Sequence, residues 1–305
     1  DYQYLQKIRK IKKFDDFVGN LSSNPKGDLF SWIEWDSRYM PWDNNFLFFA
    51  SIDNHGVIKE IKEFSKKVIN EVKNISFFQP HWISDNLLVC SEDSTGWWNL
   101  CFLDVTDIKN IVIKKRIIKS SSEYGAPQWV SGISFFSGTI KNLFCLAKRE
   151  NNWILEKYQN LIYIEKLELP FNSISDFGVS DQKLVIKGNS FGYFGYLIEN
   201  DFKKRNSANF SRKISLESVN NYSKPESFWF IGFNNQPTHS FIYKPISETF
   251  LKSPLIVKVH SGPTAYFDGS INSEVQYWTS RGFIVAEVNY GGSSGFGREY
   301  RERLN

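Results

Sequence analysis

Along the first two thirds of this chain apolar positions fall into short runs of a few residues, and one segment there carries helical spacing. Runs at residues 46–52, 87–90, 143–147 and 183–186 each follow an aromatic residue that opens a turn. The openers Trp35-Asp36-Ser37, Trp82-Ile83-Ser84 and Trp129-Val130-Ser131 are 47 residues apart, and Phe177-Gly178-Val179-Ser180 follows 48 later. A second, aromatic-bearing run comes next, clearest between Trp97 and Val105. A period of about 40–50 residues made of short strands and turns is what a propeller blade requires. The Trp then packs between neighbouring blades, and the small polar residues after it make the turn. Four units span residues 15–220. The helically spaced segment is 58–72, with apolar residues at 58, 61, 64, 68, 69 and 72. Strands are the preferred reading there, because a blade leaves little room for a long helix.

Beyond residue 222 the texture changes. Residues 227–233 and 238–244 read as two strands joined by the turn-rich Asn234-Asn235-Gln236-Pro237. After a loop, residues 254–259 form a short apolar strand that leads into His260-Ser261-Gly262-Pro263. Residues 270–281 suit a helix with Ile271, Val275 and Trp278 on one face, ended by Gly282. A buried strand at 283–288 then enters a glycine-bearing loop, Asn289 to Gly297. Strand, loop, helix and strand in this order make an α/β pattern. The sequence therefore predicts a partial all-β propeller of about four blades over residues 1–221. An α/β segment follows over residues 222–305.

Composition changes this picture little. Ten Trp and 27 Phe in 305 residues suit strands packed face to face. A net charge of +4 is too mild to call for nucleic acid, and the cluster Lys7, Arg9, Lys10, Lys12 and Lys13 reads as a solvated surface. Cys90, Cys101 and Cys145 are odd in number and lack metal spacing, which suggests neutral thiols in a reducing, cytoplasmic compartment. His55, His81 and His239 are isolated, so no metal and no cofactor is expected. No run approaches 18 apolar residues, so no membrane partner is expected either.

The blocks Pro254-Leu255-Ile256-Val257 with His260, Gly262-Pro263-Thr264, then Tyr277-Trp278 with Arg281-Gly282-Phe283, then Asn289-Tyr290-Gly291-Gly292-Ser293 with Gly295-Phe296-Gly297-Arg298-Glu299-Tyr300, are similar to the start of the catalytic domain in the prolyl oligopeptidase family of serine peptidases. The acylaminoacyl-peptidase and dipeptidyl-aminopeptidase-like branch is the nearest. Upstream, Glu34-Trp35-Asp36 with Met40-Pro41-Trp42-Asp43, Gln79-Pro80-His81-Trp82 and Gly96-Trp97-Trp98-Asn99-Leu100 resemble that branch's propeller.

The resemblance implies that residues 222–305 are the N-terminal part of an α/β-hydrolase domain, and that a Ser-Asp-His triad hydrolyses short peptides, with no catalytic residue in this chain. No Gly-x-Ser-x-Gly elbow occurs, so the nucleophile, acid and base are expected after Asn305, and the chain alone is expected to be inactive. The resemblance also makes His260, Ser261, Gly262 and Pro263 the oxyanion loop, with the Gly262 N–H as donor. Ser261 stands where the family more often has Gly. Tyr290, Gly291, Gly292 and Gly295 would border the active site. The partner classes that fit are a short peptide substrate and further copies of the chain as a homo-oligomer. A carboxylesterase on the same scaffold and a non-catalytic propeller binding protein are the alternative readings. A sheet that presents only its early strands should also show an open edge and an uncovered apolar face.

Overall fold

The computed structural model describes residues 16–64, 74–129, 131–149, 152–180, 183–191, 193–201, 208–211, 214–215, 222–246 and 252–305. Four antiparallel sheets come first. β1 (Phe17–Ser23), β2 (Leu29–Trp35), β3 (Phe46–Ile52) and β4 (Ile58–Glu63) pair in chain order. So do β5 (Phe77–Trp82), β6 (Leu87–Glu92), β7 (Asn99–Asp104) and β8 (Val112–Ile117). In the third sheet, β9 (Phe136–Thr139), β10 (Asn142–Arg149), β11 (Asn152–Gln159) and β12 (Ile162–Leu169) also pair in sequence. The fourth holds β13 (Ser173–Val179), β14 (Lys183–Ser190), β15 (Tyr193–Asp201) and β16 (Ala208–Ser211), with β17 (Ile214–Ser215) also paired to β15. Each is an up-and-down meander, in which strands adjacent in sequence, β17 apart, are adjacent in the sheet.

Burial explains the runs seen in the sequence. β6 and most of β7 are buried along their length, and a strand covered on both faces reads as a continuous apolar run. In the third sheet, β10 and β11 are largely buried while β12 is exposed along nearly its whole length. The outermost strand accordingly mixes Glu165, Lys166 and Glu168 into its apolar residues.

By contact density the chain forms two compact units. One holds residues 1–94, 100–117 and 128–132; the other holds residues 95–99, 118–127 and 133–305. In the first, Ile33, Leu47, Phe49, Phe77, Trp82, Leu88 and Leu103 share one core. Trp82 fills the space between β3 and β5 as a blade-filling Trp should. Its ring meets Phe49 edge-on at 6.0 Å, and its Nε1 donates to Ser31 Oγ at 3.1 Å.

The other repeat residues depart from that role. Trp82 ends the first strand of its sheet, whereas Trp35 ends the second strand of its own and stacks on Phe17 at 5.6 Å. Trp129 lies outside any strand, 49% exposed, against Trp42. Phe177 sits within β13. The spacing thus counted the sheets, but the shared Trp-x-Ser pattern does not mark one structural position. For the segment 58–72, residues 58–63 are strand, and 65–72 lie outside the described residues.

In the second unit a further sheet has the order β18-β19-β21-β20, from β18 (Glu226–Ile231), β19 (Pro237–Tyr243), β20 (Leu255–Val259) and β21 (Ile284–Asn289). The pair β20–β21 is parallel, and the helix α1 (Ser273–Thr279) forms the crossover. Val275 and Trp278 pack on Phe241, Tyr243 and Val285. Among the described residues β20 pairs on one side only. It exposes Leu255, Val257 and Val259 at 57%, 59% and 65%, the open edge the sequence suggested.

The helix is shorter than residues 270–281, and its ends show why. Asn272 Oδ1 accepts from the N–H of Glu274 at 2.9 Å and of Val275 at 3.4 Å, so the chain turns helical only after it. At the other end Gly282, at φ 88°, donates to Thr279 O at 3.2 Å while Phe283 donates to Trp278 O at 3.2 Å, a Schellman closure. Ile271 is buried but precedes the helix. Asn272→Ala should cost about 1 kcal/mol through loss of the cap, measured as a lower midpoint in urea unfolding. An unchanged midpoint would show that the cap is dispensable.

Candidate active site

The strands β20 and β21 run parallel, so their C-terminal ends lie side by side and deliver two loops to the same place. His260-Ser261-Gly262-Pro263 leaves β20, and Tyr290 to Gly297 leaves β21. The structure brings the residues of both together. Tyr290 stacks on His260 with ring centroids 4.3 Å apart. Its hydroxyl lies 3.0 Å from Gly262 O and 3.2 Å from His260 O, so one O–H is shared between two carbonyls of the first loop. His260 Nε2 is 2.7 Å from Ser293 Oγ, which is fully buried. Ser294 holds the continuation of the same loop: its hydroxyl donates to Thr264 O and its N–H donates to Ala265 O at 3.2 Å.

Two glycines in these loops are there for the backbone. Gly262 has φ 74°, and a Cβ on it would meet nothing within 4 Å, so the left-handed conformation alone demands glycine. Gly292 has φ 114°, and a Cβ would sit 3.0 Å from Pro263 O, so here the second loop passes against the first. Gly291 and Gly295 are placed in the same turn, Gly291 beside Arg303 and Gly295 beside Lys148.

Electrostatics around the loops favour neutral groups. Burial pushes the His260 imidazole below its ordinary value, partly offset by the backbone of Ser261 and Gly262. His239, read from sequence as an ordinary residue, is a core residue of β19. Asn289 Nδ2 lies 3.0 Å from its Nδ1 and Ser227 Oγ lies 3.0 Å from its Nε2. Burial, and to a lesser degree the charge of Lys148, bring His239 down to about 4, so its ring is neutral at pH 7. Asn289 is the hub. Its Oδ1 accepts from Phe267 N at 2.7 Å and its Nδ2 donates to Phe267 O at 3.1 Å, which fixes the far end of the loop after Pro263.

Trp98, Glu123 and, from β10, Lys148 complete these surroundings within the same compact unit, and the sequence pattern assigned Glu123 and Lys148 no role. Glu123 is buried; its carboxylate accepts from Trp98 N at 2.9 Å and from Gly297 N at 3.1 Å, at the first residue of α2 (Gly297–Glu302). Arg301 of that helix lies over the Trp98 ring at 4.2 Å. Lys148 is buried with its Nζ 3.3 Å above the Tyr266 ring. Burial brings its pKa down to about 7, opposed by Asp268 and Glu123. No group of His, Cys, Asp and Glu suited to a metal occurs among the described residues. Cys90, Cys101 and Cys145 are free and buried, and the thiols of Cys90 and Cys145 are pushed up. No helix among the described residues is long and apolar enough to cross a membrane.

Antiparallel meanders followed by a sheet with a parallel pair, a crossover helix and two strand-end loops in contact define a propeller-bearing chain of the α/β-hydrolase class. The comparisons agree. Residues 269–305 match the model of the prolyl oligopeptidase family. A puromycin-hydrolyzing peptidase of Mycobacterium tuberculosis is 25% identical with a TM-score of 0.83, over 97% of this chain and 46% of that one. A puromycin hydrolase is 26% identical with a TM-score of 0.80, over 94% of this chain and 43% of that one. Prolyl oligopeptidase B from Galerina marginata shares the fold at 14% identity and a TM-score of 0.69, over 92% of this chain and 38% of that one. No curated protein matches. These findings show a chain with the fold of puromycin-hydrolyzing peptidases and, over residues 269–305, similarity to the prolyl oligopeptidase family. It spans less than half the length of the structures it matches.

Proposed function

We propose that the protein carrying this chain hydrolyses short peptides as a serine peptidase of the aminoacyl- or acylaminoacyl-releasing type. Residues 1–221 supply a propeller that limits substrate size, and residues 222–305 open the peptidase domain. Within that domain the Gly262 N–H is one oxyanion donor. The loop of Tyr290, Gly291, Gly292 and Gly295 borders the site, and the Ser, Asp and His are supplied from beyond Asn305. The observation that carries this reading is the Tyr290 hydroxyl bridging the carbonyls of His260 and Gly262, because it ties the glycine loop to the oxyanion loop. A peptidase needs such a donor preorganised where charge develops on the carbonyl oxygen. Three buried free thiols support a reducing, cytoplasmic location.

Relatives that hydrolyse puromycin make aminoacyl amides the first substrates to test. The complete protein should cleave aminoacyl p-nitroanilides faster than simple p-nitrophenyl esters and lose activity to a serine-directed inhibitor. The 305-residue chain alone should not turn over either. Preference for simple esters would make it a carboxylesterase instead, and turnover by the isolated chain would refute the missing triad.

A further inference from the structure

A cavity of about 320 Å³ opens beside the glycine loop, lined by Trp97, Trp229, Phe296 and Tyr300 together with Ser227 and Arg303. Its walls are set for a flat ring. Trp229 stands perpendicular to Phe296 at 5.5 Å and to Tyr300 at 6.2 Å, while Phe296 and Tyr300 lie 4.8 Å apart at 37°. These rings pack on one another and on His239, so they form one aromatic wall of the cavity, against which a ligand ring can lie by its face or its edge, the two arrangements aromatic pairs prefer. Trp229 is 50% exposed, so part of its surface is uncovered.

The polar groups select the charge of what enters. Arg303 lies flat over the Tyr300 ring at 4.2 Å, and its Nη1 donates to Pro237 O at 2.8 Å. Its Nε is buried with no hydrogen-bond partner among the described residues. A planar guanidinium held this way presents a fixed positive charge that suits a carboxylate. No lining residue is acidic, and His239 at the back of the cavity is neutral, so Arg303 supplies the one formal charge of the lining. Because His239 Nδ1 accepts from Asn289 Nδ2, its Nε2–H donates to Ser227 Oγ, which leaves the serine hydroxyl as a second donor.

We propose that this cavity binds a small aromatic carboxylate, its ring against Trp229 and Phe296 and its carboxylate on Arg303 and Ser227. The volume lies at the low end of the range for ligand pockets, about 300–1,000 Å³, which suits a single ring with a short acid arm. The proposal uses neither the oxyanion loop nor the triad and stands apart from the peptidase reading.

Calorimetric titration of the protein with N-acetyl-L-phenylalanine, N-acetyl-L-phenylalaninamide and N-acetyl-L-alanine tests it. The aromatic acid should bind saturably, and the amide and the alanine compound should each bind at least tenfold more weakly. Arg303→Gln should weaken the acid at least tenfold and leave the amide unchanged, which separates this cavity from any binding at the peptidase centre. Equal affinity of acid and amide, equal affinity of the two acids, no saturable binding, or wild-type affinity in a folded Arg303→Gln protein would each overturn the proposal. The comparison of ligands on the wild type decides even where the variant does not fold.

Discussion

Gly262→Ala in the complete protein is expected to lower kcat/KM toward an aminoacyl anilide on the order of 10²–10³-fold, the loss that follows removal of one oxyanion donor. The effect should fall on kcat with KM nearly unchanged, because the oxyanion contact forms only as charge builds in the transition state. The geometry makes this substitution informative. A methyl group at Gly262 meets no neighbour within 4 Å, so nothing is displaced by bulk. What it meets is a backbone at φ 74°, which costs an L-residue about 1–2 kcal/mol. That strain is relieved by rotating the peptide, and rotation turns the Gly262 N–H away from where the carbonyl oxygen would sit. Thermal unfolding should move by only a few degrees, since each kcal/mol shifts a protein this large by less than the ~2–4 °C expected for about 150–250 residues. A variant with wild-type kcat would mean that the second donor lies elsewhere, and Ser261 would be the first residue to examine.

The sequence patterns that proved legible are local ones. The turn between β18 and β19, the β20 run and the Gly282 stop each depend on residues within one or two turns of chain; the β20 run and the stop lie within a residue of the pattern, while β18 ends two residues earlier, at Ile231, and Pro237 opens β19 instead of closing the turn. The later start of α1 was also readable in principle, since Asn272-Ser273-Glu274 ahead of Val275 is an N-cap signal. Trp35, Trp82 and Trp129 share a pattern, but their burial is decided by Phe17, Phe49 and Trp42, which no local rule links to them. The candidate site divides in the same way. His260, Gly262 and the glycine loop were visible as motifs. Glu123 reaches Gly297 across 174 residues, and a lone Glu before a Tyr carries no sign of that.

Glu156 illustrates a long-range arrangement with a large stability consequence. It lies inside β11 at 1% side-chain exposure, among the buried Trp153, Ile154, Leu155 and Tyr158 of the same strand. Its carboxylate accepts from Lys119 Nζ at 2.7 and 2.8 Å, Arg149 Nη2 at 2.7 Å, Tyr124 OH at 2.7 Å and Tyr158 OH at 2.6 Å. Burial alone would raise this carboxyl, but the Lys119 ammonium and the two tyrosine hydroxyls outweigh it and hold it below its ordinary value of 4.5. A depressed carboxyl stabilises the folded state above the unfolded pKa, and that stability is lost as pH falls through the folded pKa. The chain should therefore lose stability as pH drops below about 4.5. Glu156→Gln should flatten this part of the pH profile by removing the charge while keeping the shape. Glu156→Ala should cost about 3 kcal/mol at pH 7, the low end for a broken buried ion pair, because Lys119 and Arg149 are each 30% exposed and can turn partly to water. The remaining cost falls on Tyr124 and Tyr158, whose buried hydroxyls lose their acceptor. Urea unfolding of wild type, Glu156→Gln and Glu156→Ala from pH 7 to pH 3 measures both effects. Equal acid sensitivity in wild type and Glu156→Gln would show that the acid response of this sheet arises from other carboxylates.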